Sequence, residues 1–306
     1  MASSVVVIVV DGPPSAGRDA HLRLAELEAL WSRFAAGSDI DRLNQAAGAP
    51  VHVSRPTITL LCTMAKAAEA TSGRYDPTVL PALLAAGYRA SIDDADRVST
   101  LSPGPHRSGV GMADVVIDAD AQTVTLPPDV AIDPGGIGKG LAADLVVEQL
   151  VLGGAAGALV SIGGDLATAG QSPGTHGWEV EVEDPHHPAR ALAHLGIPCG
   201  GVATSSTISR RWTSHGRNTH HVIDPHTGAP SETDLATVTV VARRAWLAEA
   251  HATGALLGGS GHVRAYARQH HVELLAVSHD GRPFATDGLE PTLQRANQTP
   301  AVGVFP

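Results

Sequence analysis

Four glycines fall within the eight residues Asp133-Pro-Gly-Gly-Ile-Gly-Lys-Gly140, and a helical run follows at once over residues 141–152. Gly135, Gly136, Gly138 and Gly140 strip side-chain bulk from a short interval, so a polar ligand can approach the backbone closely. Lys139 adds a positive charge there, and Asp133 offers a carboxylate as a metal or donor partner. Beyond them Leu141 pairs with Leu145 and Val146 with Leu150, while Asp144 and Glu148 take the other side. The spacing predicts an amphipathic helix that starts inside a glycine turn, an arrangement that favours anions at the helix N-terminus. Such a turn also serves as ordinary structure, so the chemistry must be argued from the rest of the chain.

The rest of the chain narrows the field. With 306 residues and 43% hydrophobic content it can bury a substantial core, and its 33 glycines and 21 prolines predict short elements joined by many turns. A net charge of −10 argues against broad nucleic-acid binding, which needs a basic surface. An anionic small ligand is compatible with it, because a divalent cation can reconcile acidic protein with phosphate. Cys62 and Cys199 form no zinc-like pair, and Cys62, in an apolar helical run, reads as a buried free thiol. The apolar run at 5–10 is too short to span a membrane and lacks a preceding basic region, so it reads as a strand. No signal peptide or lipid-attachment cysteine stands near the start, and the expectation is a cytoplasmic protein with no integral membrane segment.

Periodicity predicts helices over 19–34, 58–70 and 244–257, with Ser54 as an N-cap and Pro56 tolerated near a helix start. Residues 38–44 read as a short helix or turn that Ser38 can cap. Strands are expected at 51–53, 115–117, 123–126, 158–162, 178–183, 236–242 and 272–277, with further candidates between 91 and 124. Pro185 and Pro188 interrupt the pattern, Asp280-Gly281 is a turn, and 288–306 gives no regular signal. No repeat or linker divides the chain, so one α+β domain over 1–306 is expected, with short strands, packed helices and glycine-rich nucleotide-binding loops.

Several short stretches stand out from this frame. In Arg74-Tyr-Asp-Pro-Thr78 an aromatic ring, a carboxylate and a hydroxyl lie close together; Tyr75 is suited to an aromatic ligand and Thr78 to a polar contact. Glu249 and Thr253 lie four positions apart, on one helix face. Taken with Leu27-Glu28, residues 38–44, 133–140, Ser161-Ile-Gly-Gly-Asp165, Ala203-Thr-Ser205 and His220-His-Val-Ile-Asp-Pro-His-Thr-Gly228, their order and spacing resemble the bacterial FAD:protein FMN transferase family, the ApbE-like flavin transferases, from about residue 20 to 280.

The resemblance implies an enzyme that moves the FMN moiety of FAD onto a threonine or serine of an acceptor flavoprotein and releases AMP. It implies Mg2+ as cofactor, a hard cation suited to phosphate and carboxylate oxygens, with FAD as donor substrate. By the same resemblance Glu249, Thr253 and a backbone oxygen of Gly138 hold the metal, although more usual members carry Asp where this chain has Glu249. His221 falls at the catalytic position, where a neutral imidazole can take a proton from an attacking hydroxyl. His220 aligns it or contacts phosphate, and Asp224 orients the loop or the metal shell. Gly163, Gly164 and Asp165 are placed beside the flavin nucleotide, Asp165 as part of the catalytic hydrogen-bond network. Thr204 and Ser205 donate to phosphate or flavin oxygens. Gly135, Gly136 and Lys139 cradle the pyrophosphate, and Ser38, Asn44, Tyr75, Asp76 and Thr78 finish the nucleotide pocket. The same motifs leave two alternatives: an FAD pyrophosphate hydrolase yielding FMN and AMP, and a catalytically weakened flavin-binding protein. A hydride-transfer site fits them less well.

Overall fold

The computed structural model describes residues 4–90, 98–99, 101–104, 109–175, 177–214 and 216–289. Strand β1 (Val5–Val10) leads into helices α1 (Ala16–Trp31) and α2 (Asp39–Gln45), strand β2 (Val51–His52), and helices α3 (Arg55–Ala70) and α4 (Leu80–Ala85). Next come β3 (Val116–Asp118), β4 (Thr123–Thr125), α5 (Gly138–Leu152), β5 (Gly157–Ile162), β6 (Asp165–Gly170), β7 (Trp178–Asp184), β8 (His187–Ile197) and β9 (Gly200–Ser206). The chain continues through β10 (Arg211–Ser214), β11 (Arg217–His220), β12 (Ile223–Asp224), β13 (Ala229–Pro230), β14 (Leu235–Ala242), α6 (Ala245–Gly258), α7 (Val263–His270), β15 (Glu273–Ser278) and β16 (Pro283–Ala285). This is an α+β fold.

Its frame is a seven-stranded antiparallel sheet in the order β1-β5-β6-β9-β14-β15-β16. Both faces are covered, which explains why its central strands read as near-continuous apolar runs rather than as alternation. In β5, Ala158, Val160 and Ile162 join the core beneath α1, α3 and α5, whereas Leu159 faces the other way. In β15, Leu274 and Ala276 pack under α6 and α7, while Leu275 and Val277 face the β7–β8 hairpin. That hairpin seals the second face with Trp178, Val180 and Val182 and leaves Glu179, Glu181 and Glu183 in solvent. Pro188 lies inside β8, which pairs on one side alone, so its missing N–H costs no ladder bond.

Several expectations hold closely. Ser38 caps α2, accepting the Asp41 N–H at 3.0 Å, and Ser54 caps α3. Two are corrected. α5 is not an amphipathic helix with a wet side: Leu141, Ala142, Ala143, Asp144, Val146 and Val147 are all buried, because the helix is wedged between the sheet, α1 and α6. Helix α7 and strands β10 and β11 were not anticipated, their short mixed sequences giving no clear period. Cys62 and Cys199 are both free, but Cys62 is half-buried rather than buried as expected. Among the described residues no helix is long and apolar enough to cross a membrane. Part of the 91–124 strand region, and residues 290–306, lie outside the described residues.

Candidate active site

The centre of the site is set by how closely α5 and α6 meet. A Cβ on Gly140 would come within 2.6 Å of the Ala245 carbonyl group, so only glycine allows this contact of backbones. Across it, Glu249 of α6 accepts the Gly140 N–H at 2.8 Å through Oε2. Its Oε1 accepts from the Lys139 ammonium at 2.8 Å, and the same ammonium is paired with Asp165. Asp165 is placed by the β5–β6 hairpin: Ile162 pairs with Asp165 across Gly163 and Gly164, whose φ values of +59° and +95° are those of a tight type I′ turn. Its other oxygen accepts the Thr204 N–H of β9 at 3.1 Å. The result is a half-buried cation between two buried carboxylates, Asp165 3% and Glu249 4% exposed. Burial works against the charge on Lys139, but the carboxylates of Asp165 and Glu249 outweigh it and hold the ammonium well above its ordinary range. Burial likewise raises the Glu249 carboxyl, against the pull of Lys139.

Around this triad a cleft of about 190 Å³ opens to solvent. Hydroxyls line one wall: Ser205 Oγ lies 2.9 Å from Thr253 Oγ1, tying β9 to α6, and Thr204 Oγ1 lies 2.8 Å from Thr239. His221, just after β11, lines the same cleft. Its Nδ1 is buried without a hydrogen-bond partner, and burial, reinforced by the charge of Arg210, lowers its pKa to about 3. The imidazole is therefore neutral at physiological pH.

Of the residues singled out in the sequence, Tyr75, Asp76, Gly135, Gly136, Lys139, Gly163, Asp165, Thr204, Ser205, His221, Glu249 and Thr253 line one cleft. Other expected residues stand behind it. Asn44 donates to the Ile132 carbonyl at 2.9 Å and accepts the Ile132 N–H at 2.8 Å, fixing the strand-like approach to Asp133 from the core side. Ser38 is spent on capping α2 and on the Ser32 carbonyl. Thr78 donates to Asp76 through both hydroxyl and backbone, shaping the turn. His220 donates through Nε2 to the Ser231 carbonyl and accepts the Val222 N–H at Nδ1, which braces the loop carrying His221. Asp224 accepts the His226 N–H in its own turn. Gly138 is the buried first residue of α5, and Gly164 completes the hairpin turn. Tyr75, only 4% exposed, has no free ring face for an aromatic ligand, contrary to the expected stacking role.

Sequence reasoning missed three contributors. Arg74 and Tyr88 line the cleft, and Tyr88 stacks on Trp212 with ring centroids 5.4 Å apart. Buried Arg33 sits 3.3 Å from Asp133 and so fixes the entry to the glycine turn. Arg74 opens the 74–78 stretch but has no distinguishing spacing of its own, and a lone tyrosine outside any motif carries little signal, whereas Arg33 inside an apolar helical pattern is a usable one.

The chain matches the model of the ApbE family over residues 1–277. It is 25% identical to an FAD:protein FMN transferase of Haemophilus influenzae, across 86% of this chain and 78% of the relative. With the Salmonella typhimurium protein of that name it shares 28% identity, across 84% and 75%, and with that of Treponema pallidum 30%, across 87% and 78%. Its fold is similar to the ApbE protein of Thermotoga maritima, with a TM-score of 0.81 at 24% identity, covering 95% of this chain and 96% of that one. The apo flavinyl transferase ApbE of Pseudomonas stutzeri gives 0.76 at 22%, covering 95% and 97%. Because the family model matches residues 1–277 of its 306, this chain belongs to the ApbE family.

Proposed function

We propose that this protein transfers the FMN moiety of FAD to a threonine or serine hydroxyl of an acceptor protein, with release of AMP, and that it does so with Mg2+. The observation that carries the reading is the cleft itself: two buried carboxylates, a lysine, three hydroxyls and a neutral histidine gathered in a chain of this family.

The donor set fits magnesium. Asp165, Glu249, Ser205 and Thr253 offer oxygen alone, the ligand type a hard cation takes. Among the described residues no group of three or more His, Cys, Asp or Glu side chains is placed to hold a metal. Mg2+ does not need one, since it is commonly held by one or two carboxylates together with substrate phosphates and water. Glu249 and Thr253, with a backbone oxygen of Gly138, would hold it. When bound, it would neutralise charge on the diphosphate oxygens and on the departing AMP.

The protein's own groups supply the rest. In the transfer the acceptor oxygen forms a bond to the FMN-side phosphorus, the phosphoanhydride bond to AMP breaks, and the hydroxyl proton passes to His221. His221 Nδ1 has no partner in the protein and can take that proton, and a diphosphate beside it raises its low proton affinity. Thr204 and Ser205 donate to phosphate oxygens, and Lys139 is the charge within reach of the diphosphate. Asp165 keeps the lysine in place, and Arg210 at the rim adds attraction for phosphate or for an acidic acceptor loop.

The test is to incubate the protein with FAD, Mg2+ and a candidate acceptor and to measure acceptor mass and released AMP. A mass gain equal to covalent FMN, lost when the target threonine or serine is replaced, is the expected result. AMP and free FMN without modified acceptor would make the protein a hydrolase, and bound FAD with neither product would make it a flavin-binding protein.

A further inference from the structure

Tyr75 is packed as a core residue yet ends in a polar group that nothing holds. It clusters with Met64, Met112 and Ile137, and its backbone N–H donates to Thr71 Oγ1 at 3.0 Å. The ring lies so close to the glycine turn that a Cβ on Gly136 would come within 3.0 Å of Cε2. Its hydroxyl is buried and has no hydrogen-bond partner, although the residue lines the cleft together with Asp76, Gly136 and Glu249. Leaving a buried hydroxyl unpaired is costly, and phenylalanine would fill the same space without that cost. Burial, then the negative charges of Glu249, Asp133 and Asp76, push the phenol well above its ordinary value, so it stays a protonated donor. No carboxylate in the cleft accepts that proton.

We propose that the Tyr75 hydroxyl is a hydrogen-bond donor reserved for a phosphate oxygen of the dinucleotide, a contact that the loaded cleft completes. The proposal rests on the flavin-transferase reading above, and it replaces the ring-stacking role expected from the sequence. The ligand-free protein carries an unmet donor, and the contact is recovered when an anionic oxygen arrives beside it.

The test is Tyr75→Phe in the full chain, read by thermal unfolding without ligand and by calorimetric titration with FAD and with riboflavin, which has no phosphate, in EDTA and in Mg2+. The ligand-free variant should unfold at the same temperature as the parent or higher. Its affinity for FAD should fall roughly 10- to 100-fold in both buffers, as for a lost hydrogen bond to a charged oxygen, with riboflavin binding unchanged. A lower unfolding temperature with unchanged FAD affinity would make the hydroxyl structural and overturn the proposal. A loss seen in Mg2+ alone would direct it to metal-bound water, and an equal loss for riboflavin would direct it to the flavin ring; either result overturns it. A parent protein that binds riboflavin and FAD alike, or neither, would overturn the functional reading itself and this proposal with it.

Discussion

Asp144 and Glu249 cap one another's helices. Asp144, in α5, accepts the backbone N–H groups of Ala245 and Trp246 at 3.1 Å each, closing the first turn of α6. Glu249, in α6, accepts the N–H of Gly140 in the first turn of α5 at 2.8 Å. The residue before α6 is Arg244, whose side chain has no oxygen to offer, so the cap has to come from the neighbouring helix. The two helix N-termini are thereby locked against each other, and that of α5 carries Lys139 into the cleft. The position of Glu249 is a property of the helix pair as much as of its own side chain.

Replacing Asp144 with Ala should therefore destabilise the protein by about 2–3 kcal/mol, since the Ala245 and Trp246 N–H groups lose their acceptor and Arg244 keeps only Glu148 as its ion-pair partner. Asp144→Asn keeps an accepting oxygen and should recover more than half of that loss. Urea unfolding of the three proteins measures both. An alanine variant within 0.5 kcal/mol of the parent would mean that the cross-cap contributes little.

Lys139→Met should leave Asp165 and Glu249 buried without their counter-charge. Breaking a buried pair from one side costs on the order of 3–5 kcal/mol, so a marked fall in unfolding temperature is expected in EDTA. A divalent cation replaces the missing positive charge, and Mg2+ should raise the unfolding temperature of the variant more than that of the parent. Equal responses to Mg2+ would argue that the cation does not bind near these carboxylates.

Asn44→Ala separates structure from ligand binding. Both polar groups of the side chain are spent on the backbone of Ile132, which is buried. Removing them should cost about 2–3 kcal/mol of stability, read by urea unfolding, with FAD affinity of the folded fraction changed less than threefold. A tenfold loss of affinity at unchanged stability would instead place Asn44 against the nucleotide.

These cases show which parts of the molecule were legible in the sequence. Strands such as β5 and β14 announce themselves because a sheet covered on both faces needs apolar residues without interruption. The cleft was legible because its residues occur in short motifs whose order is informative. What the sequence hid is the use to which a polar residue is put. Asp144 sits at a position that helical spacing assigns to solvent, yet it is 5% exposed because α6 ends against it. Ser38, Asn44 and His220 fall in motifs of the site but hydrogen-bond to the backbone that supports it. No local pattern distinguishes a group that touches a ligand from one that holds the loop behind it, because both require the same chemistry at the same spacing.

His221 should impose a pH dependence on stability whose sign is fixed. Its folded-state pKa is lowered to about 3, by burial first and then by the charge of Arg210, while in the unfolded chain it returns to the ordinary value near 6.5. Between those values the unfolded state binds a proton that the native state refuses. Stability from this group is thus fully present above pH 6.5 and is lost as pH falls toward 3, by at most about 1.4 kcal/mol per pH unit. His221→Asn has no such proton to take up, so the stability of the variant relative to the parent should improve steadily from pH 7.5 to pH 5 in urea unfolding. A constant difference across that range would show that the imidazole is hydrated and titrates normally. The neutral, proton-accepting form proposed for phosphoryl transfer would then lose its structural basis at acidic pH.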